Sequence, residues 1–192
     1  MHSSRSRRRR ARIRRLLAIV SFGALVALAF GLRVFRIDSA AIAPTVVQGD
    51  YLLVWRRLAR PKPDSIVLAR NPLDRTGIVL PWRRTEPRLV PRLVVATGGD
   101  SVQWTATDVR IAHRDGTERA LRLDPLAVGL EQPAQSRNLS ARQAFLIGLT
   151  PGRIDSRVLG PVRRGTIRRR AIVVIWPLDR FRLVGTVDAP VR

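Results

Sequence analysis

The chain has 192 residues, enough for one domain with a short appendage and a buried core. It has no cysteine and only two histidines, His2 and His113, which excludes a disulfide scaffold, a thiolate metal site, a cysteine nucleophile and a histidine-rich metal cluster. Thirty-six basic residues against 14 acidic ones give a net charge of +22; 35 of the basic residues are arginine, so chemistry that needs a lysine amine must use Lys62.

The charge is uneven along the chain. Residues 1–15 carry eight arginines and no acid. The next segment, residues 16–32 (LLAIVSFGALVALAFGL), has 17 residues and no charge, between Arg14-Arg15 and Arg33. A membrane-spanning helix needs about 20 apolar residues, with about 17 as the lower limit. The arginine-rich flank is expected to stay in the cytoplasm. The sequence therefore predicts a cytoplasmic N-terminus at 1–15, a single-pass anchor at 16–32 and a body at 33–192 outside the cell membrane. The tract exceeds the 7–15-residue core of a cleaved signal peptide. Two arginines, Arg33 and Arg36, separate it from the small residues near Ala41 and Ala43.

Beyond the anchor, short β-prone runs follow one another: 51–55, 65–69, 77–82, 93–97, 101–105, 108–112, 145–149 and 171–176. Turn formers separate them, among them Gly98-Gly99-Asp100, Asp115-Gly116 and Pro151-Gly152. This rhythm predicts a mainly antiparallel β domain. Residues 124–144 are polar and broken by proline, and read as a long surface loop. The run at 171–176 is too short to span a membrane and reads as a buried strand.

After the N-terminal arginines are set aside, 28 basic and 14 acidic residues leave +14 (28 − 14) on the rest of the chain. No ladder of alternating aromatic and basic residues is present to stack bases, so nucleic acid is not the expected partner. Anionic membrane lipid suits the same charge. No cofactor or metal is expected.

Three segments carry a more specific signal. Ser39-Ala40-Ala41-Ile42-Ala43-Pro44-Thr45, followed by Gly49-Asp50, comes just after the anchor. Arg92-Leu93-Val94-Val95-Ala96-Thr97-Gly98-Gly99-Asp100 is the second, and Asp155-Ser156-Arg157 with Gly160 and Val162 is the third. In that order they resemble the S-x-S-M-x-P-T, K-R-V-V-G-x-P-G-D and D-S-R boxes of the type I signal peptidases, membrane-anchored serine proteases whose β-rich catalytic domain faces outward. The resemblance covers about residues 16–180.

The resemblance implies a Ser–Lys dyad, in which a neutral buried lysine amine takes the proton of the attacking serine. The nucleophile position is Ala41 and the base position is Arg92. A methyl group cannot attack a carbonyl, and a guanidinium, with a pKa above about 12, cannot accept the proton. Ser39 matches an oxyanion-hole serine. It lies two residues from Ala41, roughly 6–7 Å along an extended chain, too far to replace the nucleophile. Ile42, Pro44 and Thr45 fall at groove positions. Gly49, Asp50, Gly99, Asp100, Asp155, Ser156 and Arg157 fall at positions that hold loops to the core. Leu93 replaces the arginine after the base, Gly148-Leu149-Thr150 replaces G-D-N, and Arg153 replaces a serine.

The expected function is a catalytically inactive, membrane-bound homologue that binds extended signal-peptide-like segments or an active peptidase paralogue. The alternative is an active signal peptidase with displaced catalytic residues, for which Lys62, in the turn-like RPKPD, and His113, at a hairpin tip, are the bases considered. A third reading is an arginine-rich protein that binds anionic lipid or nucleic acid.

Overall fold

The computed structural model describes residues 15–23, 25, 26, 28, 29, 31–38, 42–56, 61–70, 89–124, 133–150 and 154–184. The chain divides into two compact units, Met1–Arg33 and Val34–Arg192. In the first, the described residues from 15 to 31 are helical (α1), and Leu16, Leu17, Ile19, Val20, Phe22, Leu25, Val26 and Leu28 expose their side chains. Among the described residues, no helix is long and apolar enough to cross a membrane.

The second unit is antiparallel β structure. The strands are β1 (Leu32–Arg36), which begins two residues before the unit, β2 (Tyr51–Trp55), β3 (Ile66–Arg70), β4 (Leu89–Thr97), β5 (Ser101–Trp104), β6 (Asp108–Ala112), β7 (Glu118–Arg122), β8 (Gln135–Asn138), β9 (Gln143–Ile147), β10 (Val162–Arg163), β11 (Ile167–Trp176) and β12 (Arg182–Leu183). A short helix, α2 (Ser156–Leu159), lies between β9 and β10. The main sheet has the order β1-β2-β11-β3-β4-β9-β10, with β12 added against β11, and the smaller sheet has the order β7-β6-β5-β8.

The sequence pattern explains how these layers pack. β3 and β4 are continuous apolar runs rather than alternating ones, and such runs suit strands buried on both faces. Ile66, Leu68, Leu93 and Val95 join the larger core with Phe145 and Ile147. Val67, Ala69 and Val94 join a second cluster with Ala144, Leu146 and Ile167. β6 alternates exposed and buried residues along DVRIA, so it buries one face only. That face sends Val109 and Ile111 into the larger core with Val102, Trp104 and Leu121. The Trp104 and Phe145 rings tilt at 57° with centroids 5.0 Å apart, joining the two sheets through an aromatic contact.

The segment at 124–144 corrects the sequence reading. It is not one surface loop, because Gln135–Asn138 forms β8 and pairs with β5 from Ser101↔Asn138 to Trp104↔Gln135. β8 is an edge strand with mostly exposed polar side chains (QSRN), and no apolar periodicity announces it. β1, β7, β10 and β12 are further strands without an apolar run of their own. β11 extends the expected 171–176 strand back to Ile167, through three arginines. The expected strand at 77–82 lies outside the described residues.

Gly98 shows how tightly the turn between β4 and β5 is packed. A Cβ at this position would sit 2.5 Å from the Ala141 Cα and 2.6 Å from the Ser140 carbonyl oxygen. Gly98→Ala is therefore expected to destabilise the protein by about 1–3 kcal/mol through overpacking. Gly165→Ala, where a Cβ meets nothing within 4 Å, should stay within about 0.5 kcal/mol. Urea unfolding of the two variants measures the difference, and equal midpoints would contradict the packing.

Candidate active-site region

The first box forms a compact turn. Ile42 is fully buried in the larger core and makes an isolated bridge with Val46, whose amide donates to the Ile42 carbonyl at 3.0 Å. Pro44 is exposed and Thr45 half-buried between them. Ser39 and Ala41 lie outside the described residues, and with them the expected approach of Ala41 to Arg92.

The two Gly-Asp pairs close turns of the same construction. The Asp50 amide donates to the Val47 carbonyl at 3.2 Å, and the Asp50 carboxylate accepts the Val47 amide at 3.0 Å. The Asp100 amide donates to the Thr97 carbonyl at 3.0 Å, and its carboxylate accepts the Thr97 amide at 2.7 Å. Gly49 at φ 95° and Gly99 at φ 103° precede the aspartates in left-handed backbone that favours glycine. Both carboxylates are buried, and each has a second role. Asp50 accepts Arg180 Nη2 at 3.2 Å, and Asp100 accepts the Arg114 amide at 3.1 Å.

Arg180 and Arg182 were not legible in the sequence, because two more arginines in so basic a chain carry no signal. Their guanidinium groups reach the Pro44 carbonyl at 3.5 and 3.2 Å. The segment after β11 therefore clamps the box-one turn from outside.

Arg92 lies on β4, where its register partner on β3 is Val67. It is 8% exposed and donates to the Pro91 carbonyl at 2.9 Å and to the Ile154 carbonyl at 2.8 Å. Carbonyl acceptors suit a cation. The residue that the resemblance aligns with the base is thus a buried hydrogen-bond donor.

The third box is a buried hub. Asp155 caps α2 by accepting the Arg157 amide at 2.8 Å, and it also accepts the Gly148 amide at 3.1 Å. Arg157 Nη2 pairs with Asp155 at 3.0 Å, with both side chains essentially inaccessible. Arg157 Nη1 donates to the carbonyls of Ala106 at 2.7 Å and Asp124 at 2.9 Å, and the Arg157 carbonyl accepts the Trp104 indole at 3.1 Å. Ser156 Oγ accepts the Leu146 amide at 3.0 Å.

Lys62 is exposed, and its carbonyl accepts the Ser65 amide in a turn. His113 closes the β6–β7 hairpin, where its Nδ1 lies 3.4 Å from Asp100. At the hairpin tip, the Thr117 hydroxyl and then the Thr117 amide hold the Asp115 carboxyl below its ordinary value, with His113 adding to the effect. This contribution to stability is present at neutral pH and is lost as pH falls through the lowered value. Among the described residues, no group of three His, Cys, Asp or Glu side chains could hold a metal ion.

Breaking the Asp155–Arg157 pair should unfold the domain more readily than removing Ser156. Asp155→Ala leaves a buried guanidinium without its carboxylate and is expected to cost about 3–5 kcal/mol. Ser156→Ala leaves one buried amide unpaired and should cost about 1–3 kcal/mol. Denaturant titration ranks them, and an Asp155→Ala variant as stable as the parent would contradict the hub.

No curated protein matches this chain. The family model described as signal peptidase, peptidase S26, matches residues 10–176, most of its length. The mainly antiparallel β fold agrees with that match. With the three boxes at ordered turns and a buried hub of one such domain, the chain belongs to the signal peptidase family, peptidase S26.

Proposed function

We propose that this chain is a membrane-anchored, catalytically silent member of its family that binds extended signal-peptide-like segments without cleaving them. The observation that carries this reading is Arg92, a guanidinium bound to the Pro91 and Ile154 carbonyls where the family places a neutral amine. The methyl of Ala41 at the nucleophile position supports the same conclusion from sequence. Each substitution alone abolishes one half of the proton transfer. Together they leave a scaffold without a reacting pair.

The anchor reading rests on residues 16–32, which carry no charge and follow eight arginines. The exposed apolar side chains of α1 are consistent with a lipid surrounding. The N-terminus is then cytoplasmic and the β domain lies outside. Its partners are membrane lipid and either an exported peptide or an active peptidase paralogue that the silent copy assists. Displaced catalysis finds no support in an exposed Lys62 or in a His113 that faces Asp100.

The test is cleavage and binding measured side by side with one labelled signal peptide. The full chain should bind the peptide and leave it intact. Ala41→Ser and Arg92→Lys should each stay inactive, because nucleophile and base act as a unit. Only the double variant can recover turnover. Cleavage by the unaltered chain that Ser39→Ala or Lys62→Ala abolishes would establish the displaced-residue alternative, and failure to bind any signal peptide would remove the binding role.

A further inference from the structure

One end of the main sheet concentrates positive charge. β2, β11 and β3 are adjacent strands, about 4.8 Å apart. Register aligns Trp55 with Arg170, Arg170 with Val67, and Ile167 with Ala69. The end of β2, the end of β3 and the start of β11 therefore coincide. They bring together Arg56, Arg70, Arg168, Arg169 and Arg170, of which Arg56 and Arg168 are exposed and the others half-buried. Residues 51–56, 66–70 and 167–176 contain no acid. The ion pairs among the described residues use Asp50, Asp64, Asp100 and Asp155 elsewhere, and none involves these five arginines.

Arg169 pairs with Leu68 and Arg170 with Val67, so the cations stand on both faces of this end of the sheet, and a polyanion that covers the end lowers their mutual repulsion. We propose that this arginine end of the sheet docks on the anionic headgroups of a phospholipid bilayer. Two features favour lipid over other polyanions. Cations spread over three strands match an array of phosphates rather than a single one. The aromatic residue in the row is Trp55, half-buried beside Arg170, a pairing suited to an interface and not a platform for stacked bases.

The absence of cysteine makes a single reporter possible. Gly165→Cys, two residues before β11 and with open space around its Cβ, takes an environment-sensitive fluorophore. Ala120→Cys, exposed on β7, is the control. The full chain is placed in nanodiscs of phosphatidylcholine, alone or with about 30% phosphatidylglycerol, to give a negative surface. The Gly165 reporter should shift to the blue only in the anionic discs. The shift should vanish at about 1 M salt, where the screening length is about 3 Å. Arg168→Gln with Arg169→Gln and Arg170→Gln should abolish it, whereas lysine at the same three positions should keep it. The Ala120 reporter should not respond. Identical emission in both discs, or a shift that survives the glutamine variant, overturns the proposal. A shift produced by duplex DNA with neutral discs and not by anionic discs overturns it in favour of nucleic acid. Extraction of the chain by alkaline carbonate would remove the anchor reading separately, and the dependence on lipid charge would still decide the role of the arginines.

Discussion

The domain depends on one buried ion pair. Asp155 and Arg157 are almost wholly out of water, and charges in such a place persist only where every donor and acceptor is used. Asp155 binds the backbone on both sides of itself in sequence, at Gly148 and at Arg157. Arg157 reaches across to Ala106 and Asp124. These contacts join β9, the turn between β5 and β6, and the segment after β7. They also fix the neighbouring residue, Ile154, whose carbonyl receives Arg92. The Arg92 side chain is thus held by a carbonyl 62 residues away along the chain, next to the third box.

The two Gly-Asp turns act in the same way at smaller scale. Each uses an aspartate to satisfy an amide three residues back and a glycine to permit the backbone turn. One carries the box-one turn into β2, and the other carries β4 into β5. The scaffold of a peptidase therefore remains. Arg92 extends the logic: its guanidinium bridges the Pro91 and Ile154 carbonyls and so ties β4 to the segment before the third box.

Where one face or both faces of a strand pack against apolar neighbours, the pattern was readable. β3, β4, β9 and the second half of β11 are visible as apolar runs, β6 as an alternation, and the β6–β7 turn as Asp115-Gly116. Strands held by backbone pairing were not readable. β8 and β12 lie at edges with polar or exposed side chains, and β7 buries Leu121 alone. The same division holds at the candidate site. Asp50, Asp100 and Asp155 stood out because glycine or arginine beside them forms a recognisable box. Arg180 and Arg182 did not, because their contacts with the box-one turn are long-range and nothing in their local sequence sets them apart from the other arginines. The arginine end of the sheet was hidden for a related reason, since register alone brings residues 56, 70 and 168–170 together.

The proposal of a silent homologue requires that no hydroxyl in this domain be activated for attack, with Arg92, a permanent cation, at the position where the resemblance puts the base. Acylation reports on this without requiring a turnover. The purified full chain is incubated with an activated peptide ester and its intact mass is followed. The account predicts an unmodified serine and threonine complement at every time point. A transient acyl adduct on Ser39 or Thr45, formed and then hydrolysed by the protein, would contradict it.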